Sequence, residues 1–272
     1  MGERRVLAWD LVRRHSERPA VIAHRGASGY APENTRAAYS LAITLGTGAV
    51  ETDVHLSRDG VVVTIHDETV ERTSNGAGQV DQMTFEDLQQ LDFGSWYGAG
   101  FIGEPLPTLH DYFDALNGQA VACVEIKGGE GIEQRLVRIL AQRDRSDDVV
   151  FFSFDAEAIV AMKQLLPEVP ALFLLPWTEE TIPCDPMQVE RAVGMGMDAV
   201  GMDWQRLDRA VVETAHRQGL VVFAYTVNTR EAVETCLAAT VDCIISDVPD
   251  QVESWVSEHR EGTHPNESKE EA

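Results

Sequence analysis

Residues 20–56 read AVIAHRGASGYAPENTRAAYSLAITLGTGAVETDVHL. A short β-rich run (20–24) opens the stretch and a loop bearing Gly and Pro follows. A helical pattern then covers 35–45, and a second β-rich run fills 49–56. This is one strand–helix–strand unit, and the same order recurs along the chain. Further β-rich runs are expected at 120–126, 149–153, 171–175, 199–202, 220–227 and 242–246. Helical patterns lie between them at 131–143, 156–165, 186–195, 208–218 and 229–238. Eight strands, each followed by a helix, predict a parallel sheet closed into a (β/α)8 TIM barrel. The rival is a doubly wound open sheet, but no Gly-x-Gly-x-x-Gly fingerprint follows the first strand.

One unit departs from the pattern. After the second strand, Arg58-Asp59-Gly60 reads as a turn and 61–66 as a returning strand. Residues 67–107 then carry Gly, Asn, Pro and the aromatics Phe93, Trp96, Tyr97 and Phe101, with one short helical stretch near 85–91. Long irregular segments inside compact domains are commonly functional, so this one is expected to be an insertion lying over the barrel mouth. Residues 1–19 read as an N-terminal amphipathic extension, with Val6, Leu7, Trp9, Leu11 and Val12 mixed among charges. The barrel domain is placed at 20–258, and 259–272 is read as a disordered acidic tail.

With 272 residues, length alone admits one large barrel or two smaller domains, and 44% hydrophobic content suffices for a substantial core. The formal net charge of −23 excludes a nucleic-acid binder and argues against stable association with anionic membranes. Cys123, Cys184, Cys236 and Cys243 include no Cys-x-x-Cys pair, so neither a zinc site nor a disulfide framework is expected. No apolar run approaches the ~20 residues of a membrane span. The early arginines precede no signal-like apolar stretch. These features point to a cytoplasmic protein and leave the oligomeric state open.

The chemistry-bearing residues gather at predicted strand ends. His24-Arg25-Gly26 closes the first strand, His66-Asp67 closes the returning strand, and Glu51-Thr52-Asp53 lies within the second. Alternation puts Glu51, Asp53 and His55 on one face of their strand, and Cys123, Glu125 and Lys127 on one face of theirs. Three carboxylates facing one barrel axis repel unless a cation sits among them. An all-oxygen set selects a hard divalent ion, Mg²⁺, Ca²⁺ or Mn²⁺, over zinc. The alternative is that these acids pair with Arg25, Lys127 or Arg72 and hold no metal. Histidine titrates near neutral pH and serves as acid or base; the plainer alternative for each is a hydrogen-bonded core or surface residue. Barrel enzymes keep catalytic groups at the C-terminal face, where His24 and His66 are expected. Gly26 and Gly29 allow close backbone approach to a substrate. Asn34 or Thr35 is expected to cap the following helix.

Taken in order, His24-Arg25-Gly26, Glu33-Asn34-Thr35, Glu51-x-Asp53, His66-Asp67, Glu71-Arg72-Thr73, Glu125-Ile126-Lys127 and Tyr225-Thr226-Val227-Asn228 resemble the motifs of glycerophosphodiester phosphodiesterases. The resemblance spans residues 21–247. It implies a TIM barrel with an inserted segment after the second strand, and hydrolysis of small glycerophosphodiesters to glycerol 3-phosphate and an alcohol. Carried over by motif, Glu51, Asp53 and Glu125 are implied to hold one divalent cation, Mg²⁺ or Ca²⁺, with Mn²⁺ as a further option. His24 and His66 are implied to be the acid/base pair, and Arg25 and Lys127 the phosphate contacts. Tyr225 stands where the family commonly has tryptophan, which keeps an aromatic wall and adds a hydroxyl. Asn228 is expected as a polar substrate contact; His55, Phe154 and Trp204 are read either as lining or, more plainly, as packing around the site.

Two alternative functions follow from the same motifs. A lysophospholipase D-type lipid phosphodiesterase is disfavoured by the acidic chain, which has no apolar membrane-binding segment. A non-catalytic phosphodiester-binding barrel is disfavoured because both histidines and all three carboxylates are present.

Overall fold

The computed structural model describes residues 8–12, 18–143, 146–176 and 186–263. Among these, nine strands form one sheet. They are β1 (Ala20–Ala23), β2 (Ala49–Leu56), β3 (Val62–Thr64), β4 (Val121–Gly128), β5 (Val149–Ser153), β6 (Ala171–Leu174), β7 (Ala199–Asp203), β8 (Val221–Tyr225) and β9 (Cys243–Ser246). Eight of them run parallel in the order β1-β9-β8-β7-β6-β5-β4-β2, and the pairs Ile22–Ala49 and Ala23–Val50 join β1 to β2. The sheet is therefore a closed TIM barrel without a free edge among these eight strands.

Helices α2 (Arg36–Thr44), α4 (Leu109–Leu116), α5 (Ile132–Arg143), α6 (Ala156–Leu165), α7 (Pro186–Gly194), α8 (Arg209–Arg217), α9 (Arg230–Ala239) and α10 (Pro249–Thr263) each lead from one barrel strand toward the next or close the ring after β9. Two short helices complete the set, α1 (Ala8–Leu11) and α3 (Phe85–Leu88). Alternation along the strands sorts the core into two layers. In β8, Val221 and Phe223 point into the barrel, whereas Val222 and Ala224 pack under the helices. Each such fully buried large side chain contributes about 1.5–3 kcal/mol of apolar burial. The barrel interior includes Ile22, Cys123, Val150, Phe152, Leu172 and Phe223, with the Phe152 and Phe223 rings edge to face at 5.5 Å. Ala8, Leu11 and Val12 join this inner cluster. The amide of Ala8 donates to the Asp147 carbonyl at 2.8 Å, just before β5 begins, so these residues seal the N-terminal end of the barrel.

Several boundaries and one helix differ from the sequence reading. β1 ends at Ala23 and β3 at Thr64, so His24 and His66 lie just beyond the strands. Helix α4 was not among the expected helices; Thr108 and Asp111 form a capping box at its start. Helix α10 continues to Thr263, past the residue 258 at which the domain was expected to end. The rest of the expected tail, most of the N-terminal extension and Cys184 lie outside the described residues.

Outside the barrel, β3 pairs antiparallel with β2 through the turn at Ser57–Gly60, where Gly60 takes φ 78° and its amide donates to the Ser57 carbonyl. Residues 65–108 then lead to α4 and, with Val63 of β3, build a small separate core from Ile65, Val70, Val80, Leu88, Phe93 and Leu106. This connection stands at the C-terminal end of the barrel. Its Tyr97 lies close enough to Asp247, the residue after β9, for burial and then the Asp247 charge to push the phenol up.

Candidate active site

Register places the acidic residues side by side. Glu51 pairs with Cys123 and Asp53 with Glu125, so two carboxylates of β2 and one of β4 meet near the C-terminal mouth. One carboxylate oxygen from each of Glu51, Asp53 and Glu125 lies within 4.8 Å of the others. A bulge then interrupts the pairing: Val54 opposes Ile126, His55 opposes Gly128, and Lys127 is the extra residue. Bulges re-aim side chains beside active sites. Here the Lys127 ammonium lies against Glu125 Oε1 and 3.1 Å from Asp53 Oδ1.

The triad fits a hard divalent cation. Glu51 Oε1, Asp53 Oδ1 and Glu125 Oε1 are buried oxygens that accept no well-aligned hydrogen bond, although Lys127 stands at ion-pair distance from the last two. Unsatisfied buried oxygens are costly. Two oxygens bound to one Mg²⁺ or Ca²⁺ are at most about 4–5 Å apart, which the observed spacing matches. Electrostatics agree. Burial and then the neighbouring Asp53 and Glu125 charges push Glu51 well up from the ordinary carboxyl range. Burial and the Asp53 charge push Glu125 up to about 7. Burial also acts to raise Asp53, but Lys127, Arg25 and the two imidazoles outweigh it and hold that carboxyl well down.

Each catalytic-candidate histidine is backed by an aspartate. His24 Nδ1 lies 2.6 Å from Asp247 Oδ1, and Asp247 is itself held by Ser28 Oγ at 2.9 Å and Asn228 Nδ2 at 2.5 Å. Burial alone would raise Asp247, but its hydrogen bonds from His24, Ser28 and Asn228 bring it down to about 2. His66 Nδ1 lies 2.7 Å from Asp67 Oδ1. The Arg72 guanidinium grips Asp67 through Nε at 2.6 Å and Nη2 at 3.0 Å, and holds that carboxyl at about 2. A carboxylate on Nδ1 fixes that nitrogen as the donor, so in the neutral ring Nε2 is the basic atom. Burial lowers the pKa of His66, and nearby Arg25 and Lys127 reinforce the shift while Asp53 opposes it.

Arg72 has a second grip. Its Nη1 and Nη2 donate to Glu33 at 2.7 and 2.8 Å, and Glu33 Oε1 also accepts from Arg25 Nη1 at 2.8 Å. Arg25 Nε stands 3.2 Å from Asp53 Oδ2, and the Arg25 amide donates to Glu51 Oε2 at 2.7 Å. The chain turns sharply to permit this, with Arg25 at φ 55° and Gly26 at φ 81°. A Cβ on Gly26 would meet the Ala38 backbone at 2.6 Å, so only glycine fits against α2 there.

The structure divides the roles expected of Asn34 and Thr35. Thr35 caps α2, its hydroxyl accepting from the Ala38 amide. Asn34, at φ 56°, turns inward: Nδ2 donates to Asp53 Oδ2 at 2.8 Å, and Oδ1 accepts from Thr52 Oγ1 at 2.9 Å and the Asp53 amide at 3.2 Å. His55 is buried and its Nε2 meets the His66 carbonyl at 3.1 Å. Tyr225 stands edge to face with Phe154 at 6.0 Å, and the Lys127 ammonium lies 5.9 Å from the Phe154 ring centre. Asn228 has both ends of its amide engaged with the β9 end, donating to Asp247 and accepting from Ser246 Oγ and the Asp247 amide. Sequence reading missed Asp247, Glu33 and the inward turn of Asn34. A carboxylate directly after the last strand run was the available signal for Asp247.

Fold and site together define a TIM-barrel enzyme whose mouth carries two aspartate-backed imidazoles and an acidic site able to hold a divalent cation. Residues 24–251 match the Glycerophosphoryl diester phosphodiesterase family. A glycerophosphodiester phosphodiesterase of Caldanaerobacter subterraneus subsp. tengcongensis is 34% identical over 241 residues, covering 85% of this chain and 94% of that protein. Among solved structures, a phosphodiesterase of Oleispira antarctica in complex with the product sn-glycerol-3-phosphate superposes with a TM-score of 0.82 at 30% identity. The likeness covers 92% of this chain and 99% of that one. A glycerophosphodiester phosphodiesterase of Agrobacterium tumefaciens gives 0.75 at 29% identity, over 87% and 99% of the two chains. The chain belongs to the glycerophosphoryl diester phosphodiesterase family and is a phosphoric diester hydrolase. Among the described residues no helix is long and apolar enough to cross a membrane.

Proposed function

We propose that the protein hydrolyses glycerophosphodiesters to sn-glycerol 3-phosphate and an alcohol, with one Mg²⁺, Ca²⁺ or Mn²⁺ held by Glu51, Asp53 and Glu125. The observation that carries this reading is the set of three buried carboxylate oxygens lacking hydrogen bonds beside two carboxylate-backed imidazoles. When bound, the cation supplies Lewis-acid polarisation of the phosphoryl group and neutralises its charge. With a cation held by the triad, Lys127 would be released from neutralising Asp53 and Glu125 and would contact a phosphate oxygen. Arg25, fixed by Glu33 and Asp53, presents a second cationic contact for the phosphate.

His24 and His66 form the acid/base pair. Asp247 and Asp67 orient the rings through Nδ1, so each works through Nε2. One Nε2 takes a proton from the nucleophile, which is water or the substrate's own glycerol hydroxyl; the other gives a proton to the departing alkoxide. Asn228 acts here by holding Asp247, and Tyr225 with Phe154 walls the mouth. The product links phospholipid breakdown to glycerol metabolism. A cytoplasmic setting fits the buried thiols of Cys123 and Cys236, which form no disulfide among the described residues.

The test is release of sn-glycerol 3-phosphate from glycerophosphodiesters after exhaustive chelation and on adding back Mg²⁺, Ca²⁺ or Mn²⁺. Chelation should lower kcat/KM by about 10³-fold or more, with recovery on re-addition. Full activity of protein shown by elemental analysis to be free of metal would overturn the cation assignment.

A further inference from the structure

A cavity of about 200 Å³ opens directly beside the site. Its walls include His55 near the end of β2, Lys127 at the β4 bulge, Gly129 just after β4, and Glu68 and Asp81 from the connection that follows β3. Two of these residues tie it to the reaction centre. Lys127 also pairs with Asp53 and Glu125, and His55 bonds the carbonyl of His66. The opening is thus within one residue's reach of the centre at which a phosphodiester would be held.

The cavity is a built feature. Gly129 lies at φ +124°, and a Cβ there would meet Leu56 at 3.1 Å, so one wall is bare backbone. His55 is 8% exposed and its Nε2 is engaged with the His66 carbonyl; its Nδ1 makes no hydrogen bond among the described residues, which leaves it for a ligand hydroxyl. The volume equals the liquid share of about seven waters at ~30 Å³ each. That is the non-hydrogen content of a small alcohol of choline size.

Charge then narrows the alcohol. Lys127, the cation of the lining, pairs with two carboxylates here and turns to the phosphate in the reading above, so in either state its charge is matched. The Glu68 carboxylate has no ion pair or hydrogen bond among the described residues, and Asp81 accepts one, from the neighbouring Gln82 amide at 3.2 Å. The charge left uncompensated around the cavity is negative. A neutral polyol would leave both carboxylates without a counter-charge; an ammonium supplies one.

We propose that this cavity receives the departing alcohol, and that Glu68 and Asp81 select head groups carrying a positive nitrogen, that is, primary or quaternary amino alcohols. The inference rests on the phosphodiesterase reading above. It is tested by comparing kcat/KM for glycerophosphocholine, glycerophosphoethanolamine and the neutral glycerophosphoglycerol. Wild type should favour the two cationic head groups by about 5- to 10-fold, the scale of two partly exposed charge pairs, and the preference should shrink as salt rises. The Glu68→Gln/Asp81→Asn double variant should lose that preference while keeping its rate on glycerophosphoglycerol and its melting temperature. Glu68→Lys, a second variant, should invert the preference.

Equal wild-type rates on all three substrates would overturn the selection. So would an equal loss on all three in the variants, which would give these acids a general role. Failure to turn over any glycerophosphodiester with any cation would instead bring down the phosphodiesterase reading, and this inference with it.

Discussion

The two ends of the barrel are built from the same strands and have opposite chemistry. At the N-terminal end, β2 offers Ala49 and β4 offers Val121 to an apolar cluster that Ala8, Leu11 and Val12 close. A few residues further along the same strands, Glu51, Asp53 and Glu125 face the same axis as buried carboxylates with unsatisfied oxygens. The floor gains stability from every side chain it buries, whereas the mouth gives some up to hold charges close together. In a closed barrel the two demands are separated along the strand axis, so each end can be changed with little effect on the other.

That contrast can be broken most forcefully at the histidines. Replacing either His24 or His66 by alanine should cost at least ~10²-fold in kcat, the usual scale of general acid–base catalysis, while the melting temperature holds. On a substrate with a nitrophenol leaving group, which departs without a proton, the variant lacking the acid should recover and the one lacking the base should not. Near-wild-type turnover of either variant on a natural substrate removes that residue from the mechanism.

The floor should respond in the opposite sense. Leu11 is 7% exposed and packs into the inner cluster. Leu11→Ala should cost about 2–3 kcal/mol of stability by denaturant titration and leave kcat/KM within twofold at low temperature. A drop in turnover as large as the drop in stability would show that the two ends are not independent.

The smallest effect expected is a gain. The Glu125 carboxyl is pushed up to about 7 by burial and the Asp53 charge, from an unfolded value of 4.5. A folded acid that binds its proton more tightly than the unfolded one loses stability as pH rises between those two values. Chelated Glu125→Gln protein should therefore be more stable than chelated wild type at pH 8, by about 1–2 kcal/mol, and match it near pH 4.5. Added Mg²⁺ or Ca²⁺ should raise the melting temperature of wild type and not of the variant. Equal chelated stabilities at pH 8 would mean that Lys127 and Arg25 already neutralise the triad fully.

The barrel was legible because its strands are short apolar runs with turn residues between them, such as 149–153 and 220–227, and because period-2 alternation predicts which side chains point inward. Helix α4 was hidden by its length. Eight residues give little periodicity, and its signal was Thr108 with Asp111, a cap pair that uses aspartate in place of the usual Glu or Gln. In the site, spacing along one strand revealed Glu51 with Asp53, and Glu125 with Lys127. Partners from distant segments were not readable this way. Asn34 looked like a helix cap because its left-handed turn toward Asp53 depends on β2 being in place. Nothing local connects Arg72 to Glu33, which the fold sets 2.7 Å apart.

The hydrogen bond between His24 and Asp247 joins residues 223 positions apart. At a ribosomal pace of about 5–20 residues per second, His24 exists for roughly ten to forty-five seconds before the aspartate that orients it has been made. During that interval β1 also lacks β9, the strand that pairs with all four of its residues. A chain interrupted between Asn228 and Cys243 carries most of the motifs but neither a closed sheet nor an oriented first histidine. In the proposed mechanism, catalytic competence therefore waits for the last strand to dock.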